Sequence, residues 1–579
     1  MTRHVETTVQ SAVRSAVKST VKTTCAYCGV GCGILATTHT DGSVEFEGDP
    51  DHPANFGRLC SKGAALGDTL SLDDRLLQPM VDGRPSNWDG ALDQVARRFA
   101  DTIAAHGPDS VAFYVSGQLL NEDYYLANKL MKGFIGSANI DTNSRLCMAS
   151  SVAGHKRAFG ADTVPGCYED LELADVIVLV GSNLAWCHPV LYQRIAAVRA
   201  QHGTKIAVID PRQTATTEAA DLHLPLAAGS DVALFNGLLA HLDKTGVLDH
   251  GYVDRYTSGF AAALATAQAS SIDDIAANTG LTPAALQDFY DLFAGTERVI
   301  TVYSQGVNQS TYGTDKVNAI INCHLATGRI GRPGMGPFSV TGQPNAMGGR
   351  EVGGLANQLA CHMDLENPEH HALVRTFWNA ENLADRPGLK AVELFEAVRV
   401  GRIKALWIMA TNPVDSLPEA DTVRAALQAC PFVVVSDVAR HTDTTAHADV
   451  LLPAAAWGEK AGTVTNSERR ISRQRAFLPK AGAVRPDWWI IQQVARRMGF
   501  ADAFNFRHPA EIFAEYAELS GLDNGGKRDF DISAHEAISN EDYEGLQPFQ
   551  WPMEKGSISC QTRFFADGQF FTPDRRARF

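Results

Sequence analysis

Three cysteines fall within eight residues, in CAYCGVGC (25–32), and a fourth follows in RLCSKG at Cys60. The spacing is Cys25-x2-Cys28-x3-Cys32-x27-Cys60. Thiolates are soft ligands, so such a set points to zinc or to an iron–sulfur cluster. Structural zinc sites usually draw their ligands as two separated pairs. Here three ligands come from one tight loop and one from a distance. That suits a [4Fe–4S] cubane, wrapped on one face by the loop and closed by the remote cysteine. Gly29, Gly31 and Gly33 let the loop turn tightly and aim N–H groups at sulfur. Lys62 lies two residues past the last ligand and, alone, reads as a solvated surface lysine.

A fifth cysteine, Cys147, stands in NSRLCMASSVAGHKRAF (143–159), ahead of a helical pattern. Taken alone it is a small core residue, or an activated nucleophile with His155 as its base.

These side chains need a frame. Residues 174–210 read ADVIVLVGSNLAWCHPVLYQRIAAVRAQHGTKIAVID. VIVLV is a continuous apolar run, as in a buried parallel strand. HPVLYQRIAAVRAQHG has helical periodicity and stops at a glycine. KIAVID is a second strand, so the whole is a βαβ unit. Residues 403–437, IKALWIMATNPVDSLPEADTVRAALQACPFVVVSD, repeat the scheme. TATTEAADLHLP (214–225) aligns without a gap to TDTTAHADVLLP (442–453), about 228 residues on. Each unit has a polar loop after its first strand, GSN (181–183) or ATN (410–412), and an acid at the end of its second, Asp210 or Asp437. Such strand ends form the crevice where doubly wound sheets bind nucleotides. Neither loop is GxGxxG, so ordinary NAD binding is not supported. The duplication points to two nucleotide-like ligands bound in related ways.

A chain of 579 residues is about four domains at roughly 150 residues each. The net charge of −15 opposes binding of nucleic acid, and no long basic run offsets it. Mean hydropathy is −0.13, and no apolar run reaches the roughly 18 residues of a membrane span. Residues 1–22 read as a flexible tail rich in Ser and Thr, without a twin-arginine pair or apolar export segment. In a cytoplasmic protein the eleven cysteines stay mostly reduced, so disulfides explain the cluster poorly.

The cysteine set, Lys62, NSRLCMAS, the GSN loop, GVNQ (306–309) and TGQPNAMGGREVGG (341–354) occur in an order that resembles the molybdenum bis-molybdopterin guanine dinucleotide (bis-MGD) oxidoreductases. The resemblance runs from about residue 22 to the C-terminus. Within that family, CMASSVAG followed by GCYEDLE is similar to the nitrate reductases, most closely the cytoplasmic assimilatory type. The resemblance implies a multidomain α/β molybdopterin oxidoreductase fold: an N-terminal [4Fe–4S] domain and two related doubly wound α/β domains. The expected bounds are 23–80 for the cluster domain, 81–140 with 341–480 for one MGD, and 141–340 for the other. A peripheral segment, 481–579, would lead toward a C-terminal dinucleotide-binding domain that the sequence lacks.

Carried over residue by residue, Cys147 is the protein ligand to molybdenum, and Lys62 lies between cluster and pterin. Gln118, Asn143, the loop from Val180 to Cys187 with Gly181, Ser182 and Asn183, Asp210, Gly229, Ser230 and Asp231 match cofactor-contacting positions. So do Gly306, Asn308, Gln309, Asn412, Ser436, Asp437, Lys460 and Asp487. Met148, Gln305, Gln343 and Arg350 fall near the metal, and Arg350 offers a fixed fork of donors to a planar oxyanion. The alternative for Arg350 is a structural salt bridge. The implied reaction is NO3⁻ + 2e⁻ + 2H⁺ → NO2⁻ + H2O, serving nitrate assimilation. The implied partners are nitrate and an electron donor, which would be an NAD(P)H-dependent flavoprotein subunit, ferredoxin or flavodoxin. Two rivals stand beside this. A formate dehydrogenase of the same superfamily typically has histidine after the metal-ligating residue, where this chain has Met148. A non-catalytic electron-transfer subunit would lack Cys147.

Overall fold

The β-branched run VKSTVKTT forms the strand Val17–Thr24 in the structure, a computed structural model that describes residues 16–560 and 562–579. It pairs antiparallel with Gly33–His39, which pairs with Val44–Gly48. The expected tail over 1–22 is therefore corrected from Val17 onward, while residues 1–15 lie outside the described residues. Composition suggested a tail because Ser and Thr are polar. The strand forms because a neighbouring strand supplies its backbone partners.

Two larger sheets carry the rest. One has five parallel strands in the order Leu222–Leu224, Lys205–Ile209, Val176–Val180, Val299–Tyr303, Gly336–Ser339. The other has seven, ordered Arg84–Pro85, Met80–Val81, Val450–Pro453, Val433–Asp437, Ala405–Met409, Val111–Val115, Ile140–Thr142. Met80–Val81 runs antiparallel to both its neighbours, and the other strands share one direction. VIVLV and ALWIM are buried along their whole length, because helices cover both faces of these sheets.

Each sheet has one place where the strand order reverses. In the five-stranded sheet it lies between Val176–Val180 and Val299–Tyr303, and in the seven-stranded sheet between Ala405–Met409 and Val111–Val115. Loops leaving the carboxyl ends there diverge and leave a crevice. Gly181 and Gly306 meet across the first reversal, where Gly306 N–H donates to Gly181 O at 2.9 Å. A Cβ on Gly181, whose φ is +51°, would lie 2.7 Å from the Gly306 Cα.

The repeat seen in the sequence recurs bond by bond. Thr216 Oγ1 donates to Asn183 Oδ1 at 2.6 Å, and Thr444 Oγ1 to Asn412 Oδ1 at 2.5 Å. Asp221 accepts the Ile206 N–H at 2.8 Å, and Asp449 the Val433 N–H at 2.7 Å. Gly181 and Ala410 both have left-handed backbone, with φ of +51° and +55°.

Residues 481–579, expected to be peripheral, are threaded into the core. Trp551 is fully buried and its indole N–H donates to Glu351 Oε1 at 2.6 Å. Phe549–Gln550 extends the hairpin of Gly462–Thr465 and Arg470–Gln474, and Ala577–Arg578 pairs with Thr257–Ser258. The segment has no repeat pattern of its own, so its burial is visible only through these distant partners. Among the described residues no helix is long and apolar enough to cross a membrane.

Candidate active site

Cys25, Cys28 and Cys32 occupy the connection between the first two strands, and Cys25 N–H donates to Cys32 O at 2.8 Å to close its base. Cys60 approaches from the turn before the short helix Ser61–Ala64. The loop is tied down from behind. Tyr168 Oη and Ser467 Oγ donate to Gly29 O at 3.1 and 2.9 Å, and Asn466 Nδ2 donates to Val30 O at 3.0 Å. Gly31 has φ +67°, and a Cβ there would lie 2.6 Å from the Asn466 Cβ. Burial, together with the other thiols of the group, pushes the Cys25 thiol up to about 12. Burial likewise pushes Cys28 up to about 11 and Cys32 well above the usual range. Such thiols ionise only beside a strong positive charge. Among the described residues, no three His, Cys, Asp or Glu side chains converge on a single metal ion.

Lys62 is exposed. Its Nζ donates to Trp186 O at 2.6 Å and lies 5.0 Å from the centre of the Tyr27 ring, so it joins the cysteine loop to the 180–187 loop.

Cys147 sits in the first turn of the helix Ser144–Phe159 and is half-buried. The Gln305–Asn308 turn clamps this helix. Gln305 Nε2 donates to Cys147 Sγ at 3.0 Å, Ser151 Oγ to Asn308 Oδ1 at 2.5 Å, and Gln309 Nε2 to Leu146 O at 3.1 Å. Met148 is 1% exposed, with Asn308 Nδ2 3.6 Å from its sulfur. Gln343 accepts from Ser144 Oγ at 3.2 Å, in the same first turn. His155 lies eight residues along the helix from Cys147, about 12 Å at 1.5 Å per residue. Its Nε2 bonds Tyr303 Oη at 2.8 Å, so the two do not form a nucleophile–base pair.

The remaining candidates divide between the two crevices. In the seven-stranded sheet, Asn143 Nδ2 bridges Ser116 Oγ and Thr411 Oγ1 at 3.2 and 3.3 Å, across the order reversal. A cavity of about 330 Å³ opens there, lined by Gln118, Asp437, Lys460 and Asp487 together with Cys25 and Tyr27 of the cysteine loop. Burial pushes the Asp437 carboxyl up to about 6. Lys460 is buried between Asp487 at 2.7 Å and Asp123 at 3.4 Å. Burial lowers its affinity for a proton, but the two carboxylates outweigh this and hold it above the usual lysine range. Ser436 accepts the Trp407 indole N–H at 2.8 Å, and Asn412 Nδ2 donates to Asp415 at 2.6 Å.

In the five-stranded sheet, Asp210 accepts the Arg212 N–H at 2.8 Å. Gly229 has φ +94° with open space where a Cβ would be. Ser230 precedes the helix Asp231–Lys244, and Asp231 pairs with buried Lys316 at 2.7 Å. Among the described residues, Ser182 Oγ and Asp487 Oδ1 are buried without a partner, one at each crevice. Buried polar atoms are normally satisfied. A polar dinucleotide would satisfy both, so the residues present fit such a ligand. A second cavity, about 540 Å³, opens beside His106, Asp109 and Lys404, near the start of the strands, and holds none of the candidates.

Arg350 is 2% exposed and paired with Asp162, Nε to Oδ2 at 2.6 Å, while its Nη2 reaches Met347 Sδ at 3.1 Å. Burial alone would raise the Asp162 carboxyl, but Arg350, with His155 and His362 nearby, holds it well below the usual range. The expectation named a salt bridge as the alternative, and the pair exists. Asp162, Asp123 and His188 escaped the sequence reading. For His188 a signal was present, because Pro189 behind it starts a helix.

A cysteine-ligand hairpin, crevices at the order reversals of two sheets and a helix-borne thiol held by an amide are the frame of a cofactor-binding redox protein. Residues 75–497 match the molybdopterin oxidoreductase family, and residues 18–71 match its Fe4S4 domain. The chain belongs to the molybdopterin oxidoreductase family, and its cofactors are a [4Fe–4S] cluster and a molybdopterin. It is 56% identical over 534 residues to a nitrate reductase of Klebsiella oxytoca, covering 92% of this chain and 61% of that protein. It is 50% identical to one of Shewanella frigidimarina, covering 96% of this chain and 60% of that protein. It thus spans about three-fifths of these relatives' length. The solved structure of acetylene hydratase from Pelobacter acetylenicus superposes with a TM-score of 0.76 at 19% identity. That match covers 96% of this chain and 77% of the hydratase, and it concerns the fold.

Proposed function

We propose that this chain carries the catalytic centre of an assimilatory nitrate reductase working in the cytoplasm, with bis-MGD as its molybdopterin form. The observation that carries the reading is Met148. It follows Cys147 where the formate dehydrogenases have histidine, in a chain 56% and 50% identical to proteins named nitrate reductase. Relatives named assimilatory and one named periplasmic are both similar to it, and the assimilatory reading follows the CMASSVAG–GCYEDLE pattern.

When bound, the molybdenum cofactor supplies two-electron oxygen-atom transfer. The chain supplies position and charge. Cys147 gives the metal a soft thiolate, and the Gln305 amide holds that sulfur in place. Arg350 keeps a permanent positive charge in a buried setting, where it attracts an anion strongly. Its Nε is taken by Asp162, Nη2 donates to Met347 Sδ and Nη1 to Ala346 O, which leaves one N–H on each terminal nitrogen to orient nitrate. Met148 offers no proton donor or acceptor comparable to histidine beside Cys147. Lys62 places a cation between the cysteine loop and the 180–187 loop. Gln118, Asn143, Asp437, Lys460 and Asp487 would hold one guanine dinucleotide, and Gly181 to Asn183, Asp210 and Gly229 to Asp231 the other.

With reduced viologen as donor, an enzyme containing this chain is expected to consume nitrate and form nitrite one for one. Formate oxidation at a comparable rate, with nitrate inert, would reverse the assignment.

A further inference from the structure

His188 follows directly on the 180–187 loop and is 1% exposed. Its Nε2 lies 2.8 Å from Thr341 O. A carbonyl accepts, so Nε2 carries the ring proton and Nδ1 is left as a bare acceptor, buried without a partner among the described residues. Burial pushes the ring down to about 4, so it stays neutral and keeps this tautomer at ordinary pH.

Thr341 and Gly342 form a strap between the cysteine hairpin and Cys147. On the hairpin side, Gly29 N–H donates to Gly342 O at 3.1 Å. Ser467 Oγ accepts the Thr341 N–H and donates to Gly29 O, both at 2.9 Å. Gly29 is pressed so closely that a Cβ would lie 2.3 Å from Thr341 O. On the other side, a Cβ on Gly342 would lie 3.2 Å from Gln305 Nε2 and 3.6 Å from Cys147 Sγ. One dipeptide therefore touches both the loop of the cluster ligands and the thiol expected at the metal.

We propose that His188 is a positioning residue: its Nε2–H···O=C bond to Thr341 holds this strap and so fixes the separation between the cluster ligands and Cys147. The role is independent of which substrate is reduced. It concerns the spacing of two redox groups, on which electron transfer between them depends steeply.

The test uses the holoenzyme containing this chain, reduced with dithionite until the cluster and Mo(V) are both paramagnetic. The readout is the splitting of the Mo(V) electron paramagnetic resonance signal by the reduced cluster, with iron content measured on the same sample. His188→Gln places an amide donor where Nε2 was and is expected to keep the native splitting. His188→Leu has no donor, and His188→Asn is too short to reach Thr341 O; both are expected to lose the native splitting at full iron content. If the leucine variant does not accumulate, the Gln/Asn pair decides. Native splitting in the Asn variant, or loss of it in the Gln variant, overturns the proposal.

Discussion

Replacing Arg350 by methionine tests its buried pair with Asp162. The guanidinium lies 2.6 Å from Asp162, with the two side chains 2% and 1% exposed. In the native chain the Asp162 carboxyl is held well below the unfolded value of about 3.9. A depressed carboxyl contributes stability above the unfolded pKa and loses it only as pH falls through the folded one. The native pair is therefore constant from about pH 8 to pH 5. Without Arg350, a buried carboxylate stands uncompensated, which costs about 3–5 kcal/mol at neutral pH. Protonation relieves that cost, so burial drives the Asp162 pKa in the variant above its unfolded value. The folded variant then binds more protons than the unfolded chain, and its stability falls as pH rises through the new pKa. His155 and His362 face the same carboxylate. Protonation of His362 acts in the same direction; burial works against it, but Asp529 and Glu351 beside that ring favour it and hold His362 above its usual range. Thermal midpoints of both proteins across this pH range are the assay. The deficit of Arg350→Met should shrink steadily on acidification, and Arg350→Met/Asp162→Leu, which removes both charges, should recover most of it. A deficit independent of pH, or a double variant no better than the single one, would refute the reasoning.

Cluster content is the second test: about four irons and four acid-labile sulfides per chain are expected, and Cys60→Ser should lose most of both, whereas one zinc without sulfide would exclude a cubane. Lys62→Ala should bind both cofactors yet slow electron transfer from cluster to metal, read by rapid mixing with nitrate; normal cluster reoxidation would show the lysine to be dispensable. Cys147→Ser should fold with a full cluster signal, an altered Mo(V) signal and nitrate turnover lower by at least about two orders of magnitude, or roughly 2.7 kcal/mol of barrier. An unchanged signal and turnover would return Cys147 to the role of a core residue.

The sequence by itself determined the parts whose cause is local. The Cys25-x2-Cys28-x3-Cys32 spacing marks a ligand loop because covalent proximity forces the thiols together, and strand pairing closes that loop at Cys25 and Cys32. VIVLV and its counterpart in the second unit read as buried strands because a parallel sheet covered on both faces admits only apolar residues. The TTEAAD and TTAHAD repeats were legible as an alignment, and their threonines and aspartates make matching bonds. Tertiary structure decided what depends on partners far along the chain. Val17–Thr24 is a strand because Gly33–His39 lies beside it. Residues 481–579 are core because Trp551 finds Glu351, 200 residues away in the chain. Arg350 is paired because the fold brings Asp162 to it from 188 residues away. His188 matters because Thr341 O, 153 residues on, needs a donor that water cannot reach to supply. A sequence shows which groups a residue can offer, but a buried polar group must be satisfied by whatever the packed chain places within about 3 Å, and that is a property of the fold.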